Sequence, residues 1–303
     1  MSPSNPLAFN YDDDAPAEIA VGVISYNRRA LLETCITNLQ RYTTARLDLI
    51  VADDGSTDGC VEMLKEMGVP VIGGTNRGIA WNKNRALIAL LAYSSADVII
   101  LMENDCHPVE GSWAKTWSDA VKQHGHINAL HPSTSRALEQ GQTPPEIIGG
   151  SGTAVDPYLC RRISGICIGS SRRALGKVGF LDTRFKGYGH EHAEWTTRFH
   201  NEGFGVHWYV ENGERQKANL MIQGGVVGLR ERSSADKSTV AENYALFQQL
   251  KREPNYRAPW RAADEQAQLT SEVRTTLGVL EPSTRLDEYA SPFRAAPNAT
   301  PRT

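Results

Sequence analysis

Residues 98–107 read Val-Ile-Ile-Leu-Met-Glu-Asn-Asp-Cys-His and decide how the surrounding chain folds. The apolar, β-branched start of this stretch predicts a buried strand of a parallel sheet, and the strand ends at two carboxylates, Glu103 and Asp105. Open α/β sheets bind their ligands at the carboxyl ends of the strands. Two oxygen donors at that edge suit a hard cation such as Mg²⁺ or Mn²⁺, which would in turn hold phosphate oxygens. A strand that ends in a polar turn has the same appearance, so the flanking sequence carries the argument.

Strand and helix patterns alternate before this stretch and predict the fold class. Strand patterns cover residues 19–25, 47–52 and 69–73, and helical patterns cover residues 31–41, 60–67 and 77–93. Asn27 is the predicted N-cap of the first helix. The alternation predicts an α/β fold with right-handed β-α-β crossovers and a mostly parallel sheet flanked by helices. The chain lacks a Gly-x-Gly-x-x-Gly turn here, which disfavours a dinucleotide site.

The pattern becomes less regular after residue 107. Residues 113–123, 171–178, 238–251 and 262–277 predict helices, and residues 128–131, 165–170 and 206–210 predict strands. Residues 132–157 are rich in Gly, Pro, Ser and Thr and predict one long loop. A polar, acidic lead-in over residues 1–17 and a Pro-, Ala- and Thr-rich tail over residues 282–303 are both expected to be disordered.

Composition argues against several functional classes. The 303 residues carry a net charge of −3 without a run of Lys or Arg, so there is no electrostatic footprint for nucleic acid. No apolar run is long enough to cross a bilayer, and the start of the chain lacks the pattern of a secretory signal. Five cysteines without a Cys-x-x-Cys pair predict reduced thiols in a cytoplasmic protein.

Four stretches of the chain match one family in the same order. They are residues 23–28 (Val-Ile-Ser-Tyr-Asn-Arg), 51–59 (Val-Ala-Asp-Asp-Gly-Ser-Thr-Asp-Gly), 76–78 (Asn-Arg-Gly) with 84–85 (Asn-Arg), and 103–105 (Glu-Asn-Asp). Together they resemble the family-2 type glycosyltransferases with the GT-A fold, over roughly residues 19–205. The resemblance implies a catalytic domain over residues 18–230 and a helical extension over residues 231–281. The nucleotide-sugar half of that domain would cover about residues 18–110, and the acceptor half about residues 111–230.

The resemblance implies that the strand-end carboxylates bind a metal and a nucleotide sugar, with Mn²⁺ or Mg²⁺ as the metal and a UDP-sugar as the donor. Asp105 matches the direct metal ligand, and Glu103 matches a residue near the ribose or a metal-bound water. The family's acidic triplet has Asn104 at its centre here, which is a departure from the usual pattern. Such a metal neutralises the charge that grows on the diphosphate as the glycosidic bond breaks.

The remaining donor contacts also follow from the resemblance. Asp53 and Asp54 stand where the family contacts the nucleobase and ribose, although the same run can serve as a helix N-terminal turn. Candidate contacts on the other side of the base pocket are Tyr26, Asn27 and Arg28, and candidates for the diphosphate side are Asn76, Arg77 and Arg85. Guanidinium groups fork onto phosphate oxygens, but solvated helix arginines are also common.

A second informative region covers residues 185–205, in which a glycine-rich approach runs into a helix. Glu191, Glu194 and Arg198 lie three and four residues apart and so share one helix face. The run resembles the family's acceptor and base motif: Glu191 matches its first acidic position, and His192 stands where inverting members have the aspartate base. Either His192 or Glu191 can serve as the base, or the reaction uses none. Glu194 and Arg198 are expected to form a surface ion pair.

A further metal ligand in the family is a histidine that follows this helix. His207 lies on a predicted strand and His107 lies two residues after Asp105, so both are candidates, although a core histidine is the favoured interpretation of His207.

The sequence thus predicts a metal-dependent glycosyltransferase that moves a sugar to an acceptor hydroxyl with inversion. The acceptor is left open between a glycan, a protein and a hydroxylated nucleobase in DNA. Two alternatives stay open at this point: a catalytically inactive GT-A module that binds nucleotide, glycan or a partner, and a nucleotidyltransferase.

Overall fold

The computed structural model of the protein describes residues 8–9, 17–229 and 238–276. Most of the predicted lead-in, the start of the predicted helical extension, the last residue of its final helix and the predicted tail lie outside the described residues.

The first part of the described chain alternates strands and helices as predicted. The elements are β1 (Ala8–Phe9), β2 (Ile19–Ser25), α1 (Arg29–Tyr42), β3 (Leu47–Asp53), α2 (Cys60–Glu66), β4 (Val71–Gly73), α3 (Ile79–Tyr93) and β5 (Val98–Glu103). All seven residues of β2 and of β3 are buried, because the sheet is covered on both faces. Val21 and Val23 belong to one apolar cluster, and Ala20 and Ile24 belong to another, as the two-residue period of a strand requires.

The second part is more varied than the sequence predicts. Its elements are β6 (Cys106–Pro108), α4 (Trp113–His124), β7 (His126–Ala129), α5 (Pro132–Glu139), β8 (Ile147–Gly149), β9 (Tyr158–Cys160), β10 (Cys167–Ser171), α6 (Arg172–Val178), α7 (Glu191–Asn201), β11 (Val206–Glu211), β12 (Glu214–Ile222), β13 (Val226–Gly228), α8 (Val240–Leu250) and α9 (Ala263–Thr276). The prediction of one long loop over residues 132–157 is wrong, since α5 and β8 lie within it. Pro132 opens α5, where its missing N–H is not needed.

The main sheet has the strand order β1-β3-β2-β5-β10-β7-β12-β9-β8. Strands β2, β3 and β5 run parallel to one another, whereas β10 is antiparallel to both of its neighbours. The sequence missed β12 because its first half, Glu-Arg-Gln-Lys, is polar and exposed; this half pairs with β11 in a two-stranded ribbon. The parallel strands therefore place their carboxyl ends, and the loops that follow them, at one edge of the sheet.

The turn after β2 differs from the predicted helix cap. Arg28, not Asn27, is the N-cap of α1, and its side chain makes no capping hydrogen bond. The first N–H of the helix, that of Arg29, donates to Asp58 Oδ2 at 2.8 Å. The Asn27 side chain instead accepts a hydrogen bond from the Thr57 backbone N–H at 3.0 Å. Asn27 and Arg28 both have left-handed backbone conformations, with φ of 52° and 64°. Such non-glycine residues are uncommon and cluster at binding sites.

Candidate active site

The loops after β2, β3 and β5 meet at the carboxyl edge of the sheet. The Asp54 backbone N–H donates to Ser25 O at 2.9 Å, and the Asn104 N–H donates to Ile24 O at 3.1 Å. All of the residues predicted to contact the metal or nucleotide, apart from the two candidate histidines, come from the last residues of these strands, from these loops, or from α3 and the loop before it. The structure thus brings together the stretches that carry the family resemblance.

The first loop is tied to both of its neighbours. The Asn27 N–H donates to Ser56 Oγ at 2.6 Å, and the buried amide of Asn104 donates to the Asn27 carbonyl at 3.3 Å. Tyr26 is 50% exposed at the rim, where its ring is free to contact a ligand. This bracing holds the left-handed turn in place, so Tyr26 and Arg28 project from a defined backbone.

Asp53 and Asp54 are buried, and hydrogen bonds from the protein satisfy both carboxylates. Asp53 accepts from the N–H groups of Gly55 and Ser56 and from Ser56 Oγ. Asp54 Oδ2 accepts from the Gly78 N–H at 2.8 Å, and its Oδ1 accepts from Arg85 Nη1 at 2.6 Å. Burial raises the pKa of Asp54, and these donors oppose that rise. Contacts of the two aspartates with nucleobase and ribose stay a prediction, because every carboxylate oxygen already has a donor.

Arg85 lies in the interior and links two parts of the chain. It is fully buried, its Nη1 contacts Asp54, and its Nε donates to Glu272 of α9 at 2.9 Å. Its Nη2 donates to the Thr75 carbonyl at 2.8 Å. A diphosphate role for Arg85 stays a prediction that this geometry does not favour, since all three nitrogens already have acceptors.

Asn76 and Arg77 lie nearer the surface. Asn76 is exposed, and the Arg77 guanidinium stacks over Trp81 with 3.5 Å between Cζ and the ring centroid. Arg77 Nη1 also donates to Gln268 of α9 at 2.8 Å. Of the two predicted phosphate arginines, Arg77 is the one whose guanidinium is partly exposed.

Asp105 and Glu103 differ from the first acidic pair. Asp105 Oδ2 accepts from Arg28 Nη1 at 3.2 Å, whereas Oδ1 is buried and no donor in the described part of the chain reaches it. Burial and the charge of Glu103 raise the pKa of Asp105, and Arg28 opposes this. An unpaired buried acceptor costs about 1–3 kcal/mol. A divalent cation would supply the missing partner, so the donor set fits a metal.

The described residues contain no group of three or more His, Cys, Asp or Glu side chains that could hold a metal ion. His107 is buried and its Nδ1 contacts the Asn38 amide at 3.0 Å. His207 is exposed on the β11–β12 ribbon, so the interpretation of a core histidine is wrong. Neither histidine joins Asp105 and Glu103 as a further ligand.

The predicted base motif opens α7. Glu191 is 3% exposed; its Oε2 accepts from the Gly189 N–H at 3.2 Å, and its Oε1 lies 3.2 Å from His192 Nδ1. Lys83 Nζ lies 3.5 Å from Glu191 Oε1 and donates to Glu103 Oε1 at 3.1 Å. Burial alone would raise the pKa of Glu191, but His192 and Lys83 hold it well below its usual range. The carboxylate is therefore ionised and enclosed, and the more exposed His192 ring rests on it.

Glu194 and Arg198 form an ion pair, but the prediction that it lies on the surface is wrong. Both side chains are almost fully buried, and Arg198 Nε donates to Glu194 at 2.9 Å. Arg198 Nη2 also donates to the Phe180 carbonyl at 2.7 Å. The helix face that carries this pair packs inward, so the pair has a structural role.

Two site residues were missed by the sequence. Lys83 lies in α3, where residues 80–92 are all buried, and Tyr188 is half-buried beside α7. Burial and the charges of Glu103 and Glu191 raise the pKa of Tyr188. No clear sequence signal marked Lys83, because it stands in the polar run Asn-Lys-Asn-Arg at residues 82–85. Its role follows from the burial of the whole helix, since an ammonium is buried only when it is paired.

The model of glycosyl transferase family 2 matches residues 20–179, a little over half of the chain. The chain belongs to this family. It is a glycosyltransferase, and no helix in the described part of it is long and apolar enough to cross a membrane. No curated protein sequence matches it.

Two solved structures show the same fold as this family-2 glycosyltransferase. One is the mannosyltransferase PcManGT from Pyrobaculum calidifontis in complex with GDP-Man and Mn²⁺, with a TM-score of 0.52, 16% identity, and coverage of 95% of this chain and 77% of that one. The other is GalNAc-T7 with UDP, GalNAc and Mn²⁺, with a TM-score of 0.54, 12% identity, and coverage of 92% and 55%. The predicted α/β GT-A fold with a C-terminal helical extension is confirmed.

Proposed function

We propose that this enzyme transfers a sugar from a nucleotide sugar, with UDP as the nucleotide, to an acceptor hydroxyl, that it needs Mn²⁺ or Mg²⁺, and that it inverts the anomeric centre. The observation that carries the proposal is the unpartnered, buried Oδ1 of Asp105 at the carboxyl edge of the sheet. Two neighbours of the same fold were solved with Mn²⁺ and a nucleotide or nucleotide sugar, which supports this donor class.

Asp105 would hold the metal through Oδ1, and Glu103 would contribute the oxygen that Lys83 does not occupy. A divalent cation there supplies positive charge to a diphosphate leaving group. Among the predicted donor contacts, Tyr26 and Asn76 are exposed and Arg77 is partly exposed. The nucleotide would therefore rest on the rim formed by the turn after β2 and the start of α3.

His192 is the base in this proposal. Glu191 is enclosed and both of its oxygens are engaged, so it cannot reach an acceptor, whereas the His192 side chain is 21% exposed. The acceptor oxygen bonds to the anomeric carbon, and its proton passes to Nε2 of His192. The bond from that carbon to the diphosphate oxygen breaks, and its electron pair leaves with the diphosphate. Attack from the face opposite the leaving group inverts the centre.

The test combines binding and product analysis on the purified protein. UDP- and GDP-sugars are titrated with Mn²⁺ and with chelator, and transfer is then measured on glycan, protein and hydroxymethylated-DNA acceptors. We expect UDP binding to need the cation and to weaken in Asp105→Asn. UDP binding that is unchanged by both chelator and Asp105→Asn would refute the metal site. Retention of anomeric configuration in the product, measured by NMR, would refute the role of His192.

We also propose a cytoplasmic location. The five cysteines are buried and free, as expected for a protein kept in a reducing compartment. Alkylation of protein taken from its native cell and denatured without reductant should modify five thiols, and a lower count contradicts the proposal.

A further inference from the structure

Lys83 joins the two carboxylates that border the site. Its side chain is 1% exposed, and Nζ lies 3.1 Å from Glu103 Oε1 and 3.5 Å from Glu191 Oε1. Glu103 ends β5 on the nucleotide side, and Glu191 begins α7 on the acceptor side. A single buried cation therefore spans the boundary between the two predicted halves of the domain.

This arrangement is maintained by electrostatics. The buried Lys83 ammonium and the buried Glu191 carboxylate each lose several kcal/mol of hydration, which close pairing must offset, whereas the Glu103 side chain is 25% exposed. Removing the ammonium would leave Glu103 and Glu191 facing each other without a shared counter-charge, and like charges repel strongly where water is excluded. Lys83 thus determines where the Glu191 carboxylate rests.

The position of Glu191 in turn determines the position of the His192 ring. Glu191 Oε1 lies within reach of both Lys83 Nζ and His192 Nδ1. On its other side the ring lies against Gly165, where an added Cβ would be 2.7 Å from the ring Cγ. With Nδ1 held by Glu191, the nitrogen left for an acceptor is Nε2.

We infer that Lys83 is a positioning residue for glycosyl transfer: it fixes Glu191, and Glu191 orients the His192 ring with Nε2 towards the acceptor. The inference rests on the proposed function in assigning the base to His192. Lys83 touches no reacting atom in this scheme, so its loss should change the rate of the chemical step more than donor binding.

The kinetic test uses Lys83→Met, Glu191→Gln and the double variant. We expect Lys83→Met to lower kcat about 30-fold, within the range for misplacing a catalytic group, while the donor KM changes less than about threefold. The kcat of the double variant should lie within about twofold of the kcat of Glu191→Gln, because Lys83 acts through Glu191. Losses that multiply, or an unchanged kcat in Lys83→Met, overturn the inference. Lys115→Met, an exposed lysine on α4, is the matched control and should retain activity.

A structural measurement separates this inference from the proposed function. The ¹⁵N shifts of the His192 imidazole, assigned by difference from His192→Gln, report which ring nitrogen carries the proton. We expect the Nδ1–H form in the wild type and a shift towards Nε2–H in Lys83→Met. If the wild type transfers no sugar, the proposed function fails, yet this measurement still decides the role of Lys83. An unchanged tautomer overturns that role.

The double variant also keeps the test decisive if Lys83→Met does not fold. Lys83→Met removes the ammonium shared by the partly exposed Glu103 and the buried Glu191, whereas Lys83→Met with Glu191→Gln leaves Glu103 as the one carboxylate that has lost it. If the single variant does not fold, the double variant is compared with Glu191→Gln alone. Equal kcat values then support the inference, and a further loss of more than about tenfold overturns it.

Discussion

The two acidic pairs at the sheet edge look alike in sequence and differ in the structure. Asp53 and Asp54 stand at the end of β3, and all of their carboxylate oxygens accept hydrogen bonds from the protein. Glu103 and Asp105 stand at the end of β5, and Asp105 Oδ1 has no donor among the described residues. Backbone N–H groups supply most donors to the first pair, from its own loop for Asp53 and from the loop before α3 for Asp54. The second pair accepts instead from the side chains of Arg28 and Lys83. A carboxylate oxygen is thus open to a ligand where the folded protein supplies it with no donor.

The largest expected effect on the difference between the two pairs is that of Asp105→Asn on transfer. We expect transfer to fall about 10³-fold, because the substitution removes charge that a cation would need. The thermal midpoint should move by less than about 2 °C, because Oδ1 has no donor to lose and the ion pair of Oδ2 with Arg28 is partly exposed. Activity assays and thermal shift on the same preparation check this. Glu103→Gln, which keeps one carboxyl oxygen, is the matched control and should lose less activity. A large fall in the thermal midpoint of Asp105→Asn would contradict the contrast between the two pairs.

Asp54→Asn should have the reverse effect, with loss of stability as the main result. We expect the free energy of unfolding to fall by about 3 kcal/mol, because the change removes the Asp54 charge from the fully buried Arg85 guanidinium and leaves Glu272 as its one remaining carboxylate partner among the described residues. Urea unfolding measures this. Metal-dependent UDP binding by the fraction that stays folded should persist. A stable Asp54→Asn protein that has lost UDP binding would show instead that Asp54 contacts the nucleotide.

Glu272→Gln tests whether the C-terminal helix α9 stabilises the environment of Asp53 and Asp54. Glu272 accepts from Arg85 Nε and from Trp81 Nε1, so α9 supports the same guanidinium that holds Asp54. We expect a loss of about 2 kcal/mol, typical of hydrogen bonds to a charged group. Together with Asp54→Asn the losses should not add, because both act on Arg85. Additive losses in the urea cycle would mean that α9 stabilises the fold separately.

The smallest expected effect is a loss of stability at acid pH, and the two acidic pairs should be compared above the pH at which it begins. Burial lowers the pKa of His200 from 6.5 to about 4. Its folded pKa is depressed, so the neutral form stabilises the fold above about pH 6.5, and that stability is lost as pH falls towards 4. The loss should be about 1–2 kcal/mol at pH 5 relative to pH 8. His200→Gln should flatten this part of the stability curve; an unchanged curve would assign the acid sensitivity to another group.

The local parts of the fold were predictable from sequence. Strands β2, β3 and β5 and helices α1 to α3 follow from the apolar period of each stretch, and the acidic and asparagine residues after the strands mark the sheet edge. The prediction of a long loop over residues 132–157 was wrong, because its Gly and Pro content outweighed the helical pattern of the short α5. Strand β12 was missed because an exposed ribbon has no apolar face to give a period of two.

The β-α-β order, the family and the sheet edge that carries the candidate site were predictable from the sequence, because they depend on short-range patterns. Long-range contacts determine which carboxylate oxygens are satisfied. The side-chain donors include Arg28, Lys83 and Arg85, and Glu272 meets Arg85 across 187 residues of chain. Burial and pairing depend on what folds against each group, so the difference between Asp54 and Asp105 appears only once the chain is folded.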